Sequence, residues 1–265
     1  SLVFNYQSSL GTYLSRLFPF LIGLLLYIFS YSKINILITV GLLISTDILI
    51  YISGERTSLG LLFISTVLII LLISKFKLIR LSTFIISLMI MTILTFTNEN
   101  IKQRNIDHTI NQMNLTGNDG QIVAFSDEHQ RIFNNAIQIF SENKIFGVGP
   151  KLFRKYCKNE YIGEKGFQCS THPHNTYLQI MSETGIIGLL FILICFLFVT
   201  LFMLKHTLNL IKGRNNLIDD YRICLLICFF LTLWPLLPTQ SFFNNWINII
   251  YFLPIGFYLN SLSKN

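Results

Sequence analysis

The sequence predicts an all-α polytopic membrane protein with about seven transmembrane helices and one large extracytoplasmic loop. Of the 265 residues, 52% are hydrophobic and only 12% are charged. This composition is unlike that of a soluble domain and opposite to that of a disordered chain. Several uncharged runs approach the roughly 20 residues that a helix needs to cross the hydrocarbon. Most of the Lys and Arg residues outside the loop lie between alternate runs.

Seven apolar segments are the expected spans. They are uncharged apart from Asp47 in the second, and prolines with clustered turn residues divide the last uncharged stretch into two. The segments are Leu17–Ser32, Ile34–Ile52, Thr57–Ser74, Leu81–Asn98, Thr184–Leu204 and the two halves of 223–263. We therefore expect four spans in residues 1–97, a loop with short helices in 98–184, and three spans in 185–265.

Orientation follows from the basic residues of short loops, which are retained on the cytoplasmic side. If the spans alternate strictly in direction, one side receives two acids and nine bases. The bases are Lys33, Lys75, Lys77, Arg80, Lys205, Lys212, Arg214, Arg222 and Lys264. We expect this side to be cytoplasmic and the large loop, with nine bases and nine acids, to lie outside. The net charge of +7 then reports topology, and no nucleic-acid partner is expected.

The loop contains a predicted amphipathic helix. Ser126 with the acids that follow it is a helix start, and apolar residues recur at helical spacing to about Asn143: Ile132, Phe133, Ala136, Ile137 and Phe140. We expect the apolar face to lie on the protein or on the membrane surface. Arg131 falls opposite this face and is expected to be solvated, whereas His129 falls on it and is expected to be packed. The following Phe146-Gly147-Val148-Gly149-Pro150 predicts a tight turn.

Two loop cysteines, Cys157 and Cys169, have two interpretations. An extracytoplasmic loop is in a compartment that permits disulfides, which predicts a bond between them. Alternatively, both thiols could bind zinc together with His172 and His174, although the His-x-His spacing is tighter than that of common zinc fingers. We prefer the disulfide, because an oxidising compartment works against paired thiolates, and we expect no metal site.

The segment that leads into the fifth span, Thr171-His172-Pro173-His174-Asn175, is the strongest candidate for chemistry. Pro173 suits the first position of a helix, which would place His174 in the first turn. A helix N-terminus disfavours an imidazolium, so the ring would stay available as a base, and the same end attracts anions. The alternative is that His174 merely caps the helix at the water interface.

Arg56 is the second candidate, because it begins a span at the outer end, where the helix dipole opposes a cation. Holding an anion there is one explanation, and an interfacial anchor beside Glu55 is the ordinary one. Asp47 is an intramembrane carboxylate and so a candidate by default, but we expect it near the outer end of its span, within reach of Arg56.

The order of these features resembles that of the O-antigen ligase and O-antigen polymerase (WaaL and Wzy) superfamily. The resemblance covers roughly Ile34 to the last spans. It is carried by Arg56, by Arg131 ahead of the Phe146–Pro150 turn and Phe153, and by His174-Asn175-x-Tyr177-Leu178-Gln179 followed by Glu183-x-Gly185. Members usually have several more spans before the matching part, so we expect this chain to be a C-terminal fragment.

The resemblance implies a GT-C-like integral glycosyltransferase of the bacterial inner membrane, with its active loop on the periplasmic side. Such enzymes use undecaprenyl-diphosphate-linked glycans and need no metal or other cofactor. The implied acceptor is a lipid A core, a protein or a second lipid-linked glycan. Arg56 and Arg131 match arginines that grip the diphosphate, and His174 matches the histidine that activates the acceptor hydroxyl. Secondary candidates are His172, which has no firm counterpart, and Asn175, Tyr177 and Glu183.

Two other functions remain open from the residues alone. A transporter or flippase would place ionisable groups at the bilayer midplane on broken helices, whereas the polar candidates here collect at the outer face. A non-catalytic subunit of a polysaccharide assembly complex is the third possibility. The sequence does not separate ligase from polymerase.

Overall fold

The computed structural model describes residues 10–28, 33–107, 109–110, 127–161, 169–214 and 218–263. Secondary structure within these ranges is helical, without a strand. The helices are α1 Leu10–Ile28, α2 Lys33–Ile52, α3 Arg56–Leu72, α4 Lys77–Thr97, α5 Glu99–Lys102 with the π-helical Gln103–Asp107, α6 Asp127–Glu142, α7 Phe153–Tyr161, α8 Thr176–Ile211, α9 Asp220–Thr232 and α10 Asn245–Ser263. Ser126, the expected start of the loop helix, lies outside the described residues, as do the last four residues of Leu17–Ser32.

Within the part of the chain that the structure describes, four helices are long and apolar enough to cross a membrane: α1, α2, α4 and α8. α3 and the Ile247–Ser263 part of α10 are apolar but shorter, and α9 has 13 residues. The protein is therefore a multi-pass, all-helical membrane protein over the described ranges. A helix occurs at each expected span, while the number of seven crossings stays a prediction.

The chain forms two compact units. The first comprises Ser1–Asp107, Val199–Thr232 and Ile250–Asn265, and the second comprises His108–Phe198 and Leu233–Ile249. In the first unit, α1 packs against α3 and α9, and α2 packs against α4. The interior side chains are mostly apolar, as in Phe18, Ile22, Leu61 and Ile223, all 1% exposed or less.

A buried ion pair joins α2 to α4 in the first unit. The Asp47 carboxylate on α2 accepts a hydrogen bond of 2.7 Å from Arg80 on α4, and neither side chain is exposed. Ser87 also donates to this carboxylate, at 2.8 Å, and the guanidinium lies 4.4 Å from the ring centre of Phe18. The expected contact of Asp47 with Arg56 is therefore wrong, and Arg80, counted among the bases of the cytoplasmic side, has its side chain buried against Asp47. A buried carboxylate needs a charged or hydrogen-bonding partner, and the long arginine side chain extends from the first turn of α4 to supply it.

Glu55 joins the start of α1 to the turn between α2 and α3. Its carboxylate accepts hydrogen bonds from the backbone N–H groups of Gly11 and Thr12, at 3.0 and 2.8 Å, and from the Thr12 hydroxyl. These amides belong to the first turn of α1. The N–H groups of a first turn have no acceptor within their own helix, and they carry positive partial charge. Glu55 therefore stabilises the N-terminus of α1.

The second unit contains the amphipathic helix α6. Its buried face packs on α7 through a core of Ile132, Ala136, Ile139, Phe153 and Cys157. Ile137, which the helical spacing assigns to the apolar face, is 50% exposed and lies outside this core. α7 packs on the side of α6 that carries Ile132, Ala136 and Ile139. Ile137 lies to one side of these three residues on the helix.

The segment after α6 forms the predicted tight turn and runs antiparallel to residues 182–186. The Ile186 N–H donates to the Lys144 carbonyl at 2.8 Å, and the Val148 N–H donates to the Ser182 carbonyl at 3.1 Å. Gly147 and Gly185 have φ of 64° and 69°, and a Cβ atom at either position would collide with the facing backbone. Glycine is required at both positions by conformation and by this close approach. Gly185 also interrupts α8 with a non-helical ψ of −160°.

Candidate active site

Asn175 sets the start of α8. Its side-chain oxygen accepts hydrogen bonds from the backbone N–H groups of Tyr177 and Leu178, at 2.9 and 3.1 Å, so Asn175 is the N-cap and the helix begins at Thr176. His174 has a left-handed backbone with φ of 55°. The predicted placement of Pro173 and His174 in the first turn is therefore wrong. An Asx side chain that caps the first amides determines the boundary more strongly than the preference of proline for the first position.

The His174 ring lies among three polar side chains of the second unit. Its Nε2 atom is 3.0 Å from the Ser170 hydroxyl. Its ring centre is 4.1 Å from that of His172 and 5.5 Å from that of His129 on α6. The Thr239 N–H donates to the His174 carbonyl at 2.7 Å and so fixes the backbone. The result is a half-buried imidazole held beside a hydroxyl.

His172 is the second half-buried ring of this pair. Burial, and next the closeness of His174, lower the pKa of His172 to about 4. The ring is therefore neutral at neutral pH, and His174 packs against an uncharged neighbour. The Nδ1 atom of His172 lies 2.9 Å from the Thr171 hydroxyl.

The contact between His129 and His174 was not predicted from the sequence. The sequence places it on the apolar face of α6, and the structure shows a half-buried ring that contacts both Phe133 and His174. Its position on that face was the available signal. The sequence gives no means of knowing which segment that face would meet.

Three residues of the predicted motif bind α8 to residues 233–242. Asn175 donates to the Pro235 carbonyl at 2.8 Å, and the Tyr177 hydroxyl donates to the Leu233 carbonyl at 2.6 Å. Gln179 donates to the Ser241 hydroxyl at 3.0 Å and accepts from the Phe242 N–H at 2.8 Å. These side chains hold the backbone on which His174 is carried.

Glu183 performs a similar task for α7. Its side chain is fully buried, and its carboxylate accepts hydrogen bonds from the backbone N–H groups of Lys151 and Phe153, at 2.9 and 3.1 Å, and from Gln179 at 3.2 Å. The first two donors lie at the start of α7, where an anion is favoured. Glu183 therefore joins α8 to α7.

The two arginine candidates are both exposed. Arg131 lies on the solvent side of α6, as its position on the helical wheel predicts. Arg56 is the first residue of α3 and belongs to the first unit. Among the described residues of the second unit, ring contacts join His174 to His129 and to His172.

Cys157 and Cys169 form a disulfide with Cα atoms 5.8 Å apart. The bond joins α7 to the segment that leads to His174. It uses both thiols that the zinc alternative requires. Within the described ranges, no group of three or more His, Cys, Asp or Glu side chains is suited to a metal ion.

Comparison with protein families identifies a match to this chain. The family model described as O-antigen ligase (Wzy_C) matches residues 38–193, which is more than half of the chain and includes Arg56, Arg131 and His174. Neither the curated proteins nor the solved structures contain a match. The chain belongs to the O-antigen ligase family.

Proposed function

We propose that this O-antigen ligase-type membrane protein is a glycosyltransferase that moves a glycan from undecaprenyl diphosphate to an acceptor hydroxyl. The observation that carries the proposal is the division of tasks in the segment from His174 to Glu183. Asn175, Tyr177, Gln179 and Glu183 bind backbone groups of neighbouring segments. His174 instead presents Nε2 to a hydroxyl.

His174 is the proposed general base. A separation of 3.0 Å between Nε2 and the Ser170 hydroxyl is the distance at which an imidazole accepts a proton from an alcohol. An acceptor sugar hydroxyl in that place would lose its proton to Nε2 as its oxygen forms a bond to the anomeric carbon. The bond from that carbon to the diphosphate oxygen breaks on the opposite face, so the configuration inverts.

The leaving diphosphate gains negative charge as this bond breaks. Arg56 and Arg131 are the proposed cations that stabilise it electrostatically. Their exposure suits an anion that arrives on a lipid carrier. The proposed reaction needs no metal and no other cofactor.

The proposed location is the bacterial inner membrane, with residues 98–184 on the periplasmic side and four and three spans before and after them. The proposed acceptors are a lipid A core, a protein or a second lipid-linked glycan. Deleting the gene and examining the surface glycan separates the two reaction types. Loss of all attached chains indicates a ligase, and chains of a single unit indicate a polymerase.

The substitution His174→Gln tests the base directly. Glutamine keeps a polar side chain but takes no proton, so glycan transfer should fall by roughly 10²- to 10⁴-fold at unchanged membrane abundance. Transfer is measured on the full-length protein with a lipid-linked glycan donor. Thr171→Ala, in the same segment, is the matched control and should retain transfer. Undiminished transfer by His174→Gln would exclude the assignment.

Transport of a lipid-linked sugar is the second candidate function. The observation that favours it is the buried Asp47–Arg80 pair, because ionisable residues inside membrane helices often mark a transport pathway. A non-catalytic role in an assembly complex has no comparable support.

A further inference from the structure

The turn after α6 exposes two large apolar side chains in succession. Ile145 is 59% exposed and Phe146 is 74% exposed. The side of α6 that carries Ile132, Ala136 and Ile139 is covered by α7, so these side chains do not need the membrane to be buried. Ile145 and Phe146 have no such cover, and adjacent exposed apolar side chains of this size mark an interaction surface.

The backbone holds this pair beside the start of the lipid-facing part of α8. The bonds from Ile186 to Lys144 and from Val148 to Ser182 place Ile145 level with Gly185, and Phe146 level with Thr184. The Ile145 carbonyl lies so close to Gly185 that a Cβ atom there would collide with it. The turn is therefore attached to α8 at its break.

Beyond Gly185, α8 is apolar and largely exposed. Ile187, Leu190, Phe191 and Ile194 are 54%, 50%, 71% and 65% exposed, and the helix is a candidate span. Apolar residues exposed along a membrane-spanning helix face lipid. Ile145 and Phe146 lie at the end of this surface, next to Ile186, and extend it beyond the helix.

We propose that Ile145 and Phe146 insert into the interfacial layer of the bilayer that α8 crosses. Large apolar side chains are favoured between the headgroups and the acyl chains. The neighbouring Lys144 is exposed, so its ammonium can reach the headgroups while its stem covers apolar surface. The partner is the lipid of the same bilayer, and the inference rests on the membrane assignment of α8 rather than on the proposed chemistry.

This contact has a consequence for the candidate active site. The turn bonds to Ser182 and Glu183, in the part of α8 that begins two residues after His174. An anchor at Phe146 therefore sets the depth of His174 relative to the membrane surface. A lipid-linked donor presents its diphosphate at that surface, so this depth matters for the reaction.

The test uses tryptophan fluorescence of the full chain in nanodiscs, with Trp234 and Trp246 replaced by Phe. Phe146→Trp is compared with Phe191→Trp, on the lipid-facing part of α8, and with Gln138→Trp, on the exposed face of α6. We expect Phe146→Trp to be quenched by lipids brominated near the headgroup and protected from aqueous acrylamide. Phe191→Trp should be quenched by lipids brominated deeper in the chains, and Gln138→Trp by acrylamide.

Acrylamide quenching of Phe146→Trp equal to that of Gln138→Trp, without quenching by brominated lipid, would overturn the proposal. Thermal unfolding in detergent verifies the fold of each variant, and the exposed position of Phe146 predicts an unchanged Tm. The readout needs no glycan transfer. Inactivity of the enzyme would therefore contradict the proposed function and leave this result standing.

Discussion

At the scale of single residues, His172 and His174 form a pair in which one ring affects the charge of the other. Their ring centres are 4.1 Å apart, so two imidazolium ions would repel each other at close range. Burial is the larger cause of the lowered pKa of His172, and this repulsion adds to it, so the ring stays neutral at neutral pH. His172 is therefore a neutral ring that packs against the proposed base.

The lowered pKa of His172 predicts a pH dependence of stability. Its pKa in the folded protein, about 4, is below the value of about 6.5 in an unfolded chain, so between these values the unfolded state binds more protons. The free energy of unfolding is therefore not reduced by His172 above about pH 6.5, and it decreases as the pH falls from there toward 4. His172→Gln should lose less stability than the wild type over this window, measured as Tm in detergent at pH 7.5 and 4.5.

Thr171→Ala is the control for this comparison, because it removes the hydroxyl beside Nδ1 and keeps the imidazole. It should retain the wild-type pH dependence. Equal pH dependence in His172→Gln and the wild type would show that His172 does not titrate in this window.

Residue-scale predictions from sequence succeeded where the side chain acts alone and failed where it acts with a distant partner. Arg131 is solvated as its position on the helix predicts. The contact of His129 with His174 depends on how α6 packs, and the pairing of Asp47 with Arg80 depends on the register of α2 against α4. Neither contact can be predicted from the spacing of residues along the sequence. The roles of Arg56, Arg131 and His174 stay proposals that rest on the family resemblance and on the geometry around His174.

At the scale of elements, hydropathy placed a helix at each expected span, and helical periodicity placed α6. Boundaries were less predictable, because they depend on which side chain satisfies the first amides. α8 begins at Thr176 because Asn175 caps it, three residues after the expected start at Pro173. The break at Gly185 was also hidden, since its cause is the approach of another segment.

Gly185→Ala tests this close approach. Alanine would have to adopt a positive φ and would collide with the Ile145 backbone, so the substitution should destabilise the protein by at least about 1–2 kcal/mol. The measurement is Tm in detergent, which should fall by several degrees.

Gly60→Ala provides the matched control, because Gly60 lies inside α3 with open space around it. Alanine there favours the helix, and the Tm should stay the same or rise. If both variants gave the same Tm, the turn would not lie against Gly185 as described.

At the scale of the whole molecule, a multi-pass protein that contains a buried ion pair raises the question of what the pair contributes. Desolvation can cancel the attraction of such a pair, whereas removing one partner leaves an uncompensated charge. Arg80→Met alone should therefore destabilise the protein by about 3–5 kcal/mol, and the double variant Asp47→Leu with Arg80→Met by much less. Thermal unfolding in detergent measures both.

The double variant also separates structure from transport. If the pair is structural, the folded double variant should retain glycan transfer and the delivery of lipid-linked glycan across the membrane. Loss of delivery by a folded double variant would instead favour the transport function.

The contacts around His174 also close a ring. From Glu183 the path runs to the start of α7, along α7 to Cys157, through the disulfide to Cys169, and on through His174 and α8 back to Glu183. A ring of this kind closes only when its last member has been synthesised. In a chain made from the N-terminus, α7 precedes both Cys169 and Glu183, so the imidazole reaches its final setting late in biogenesis, after the start of α8 is in place.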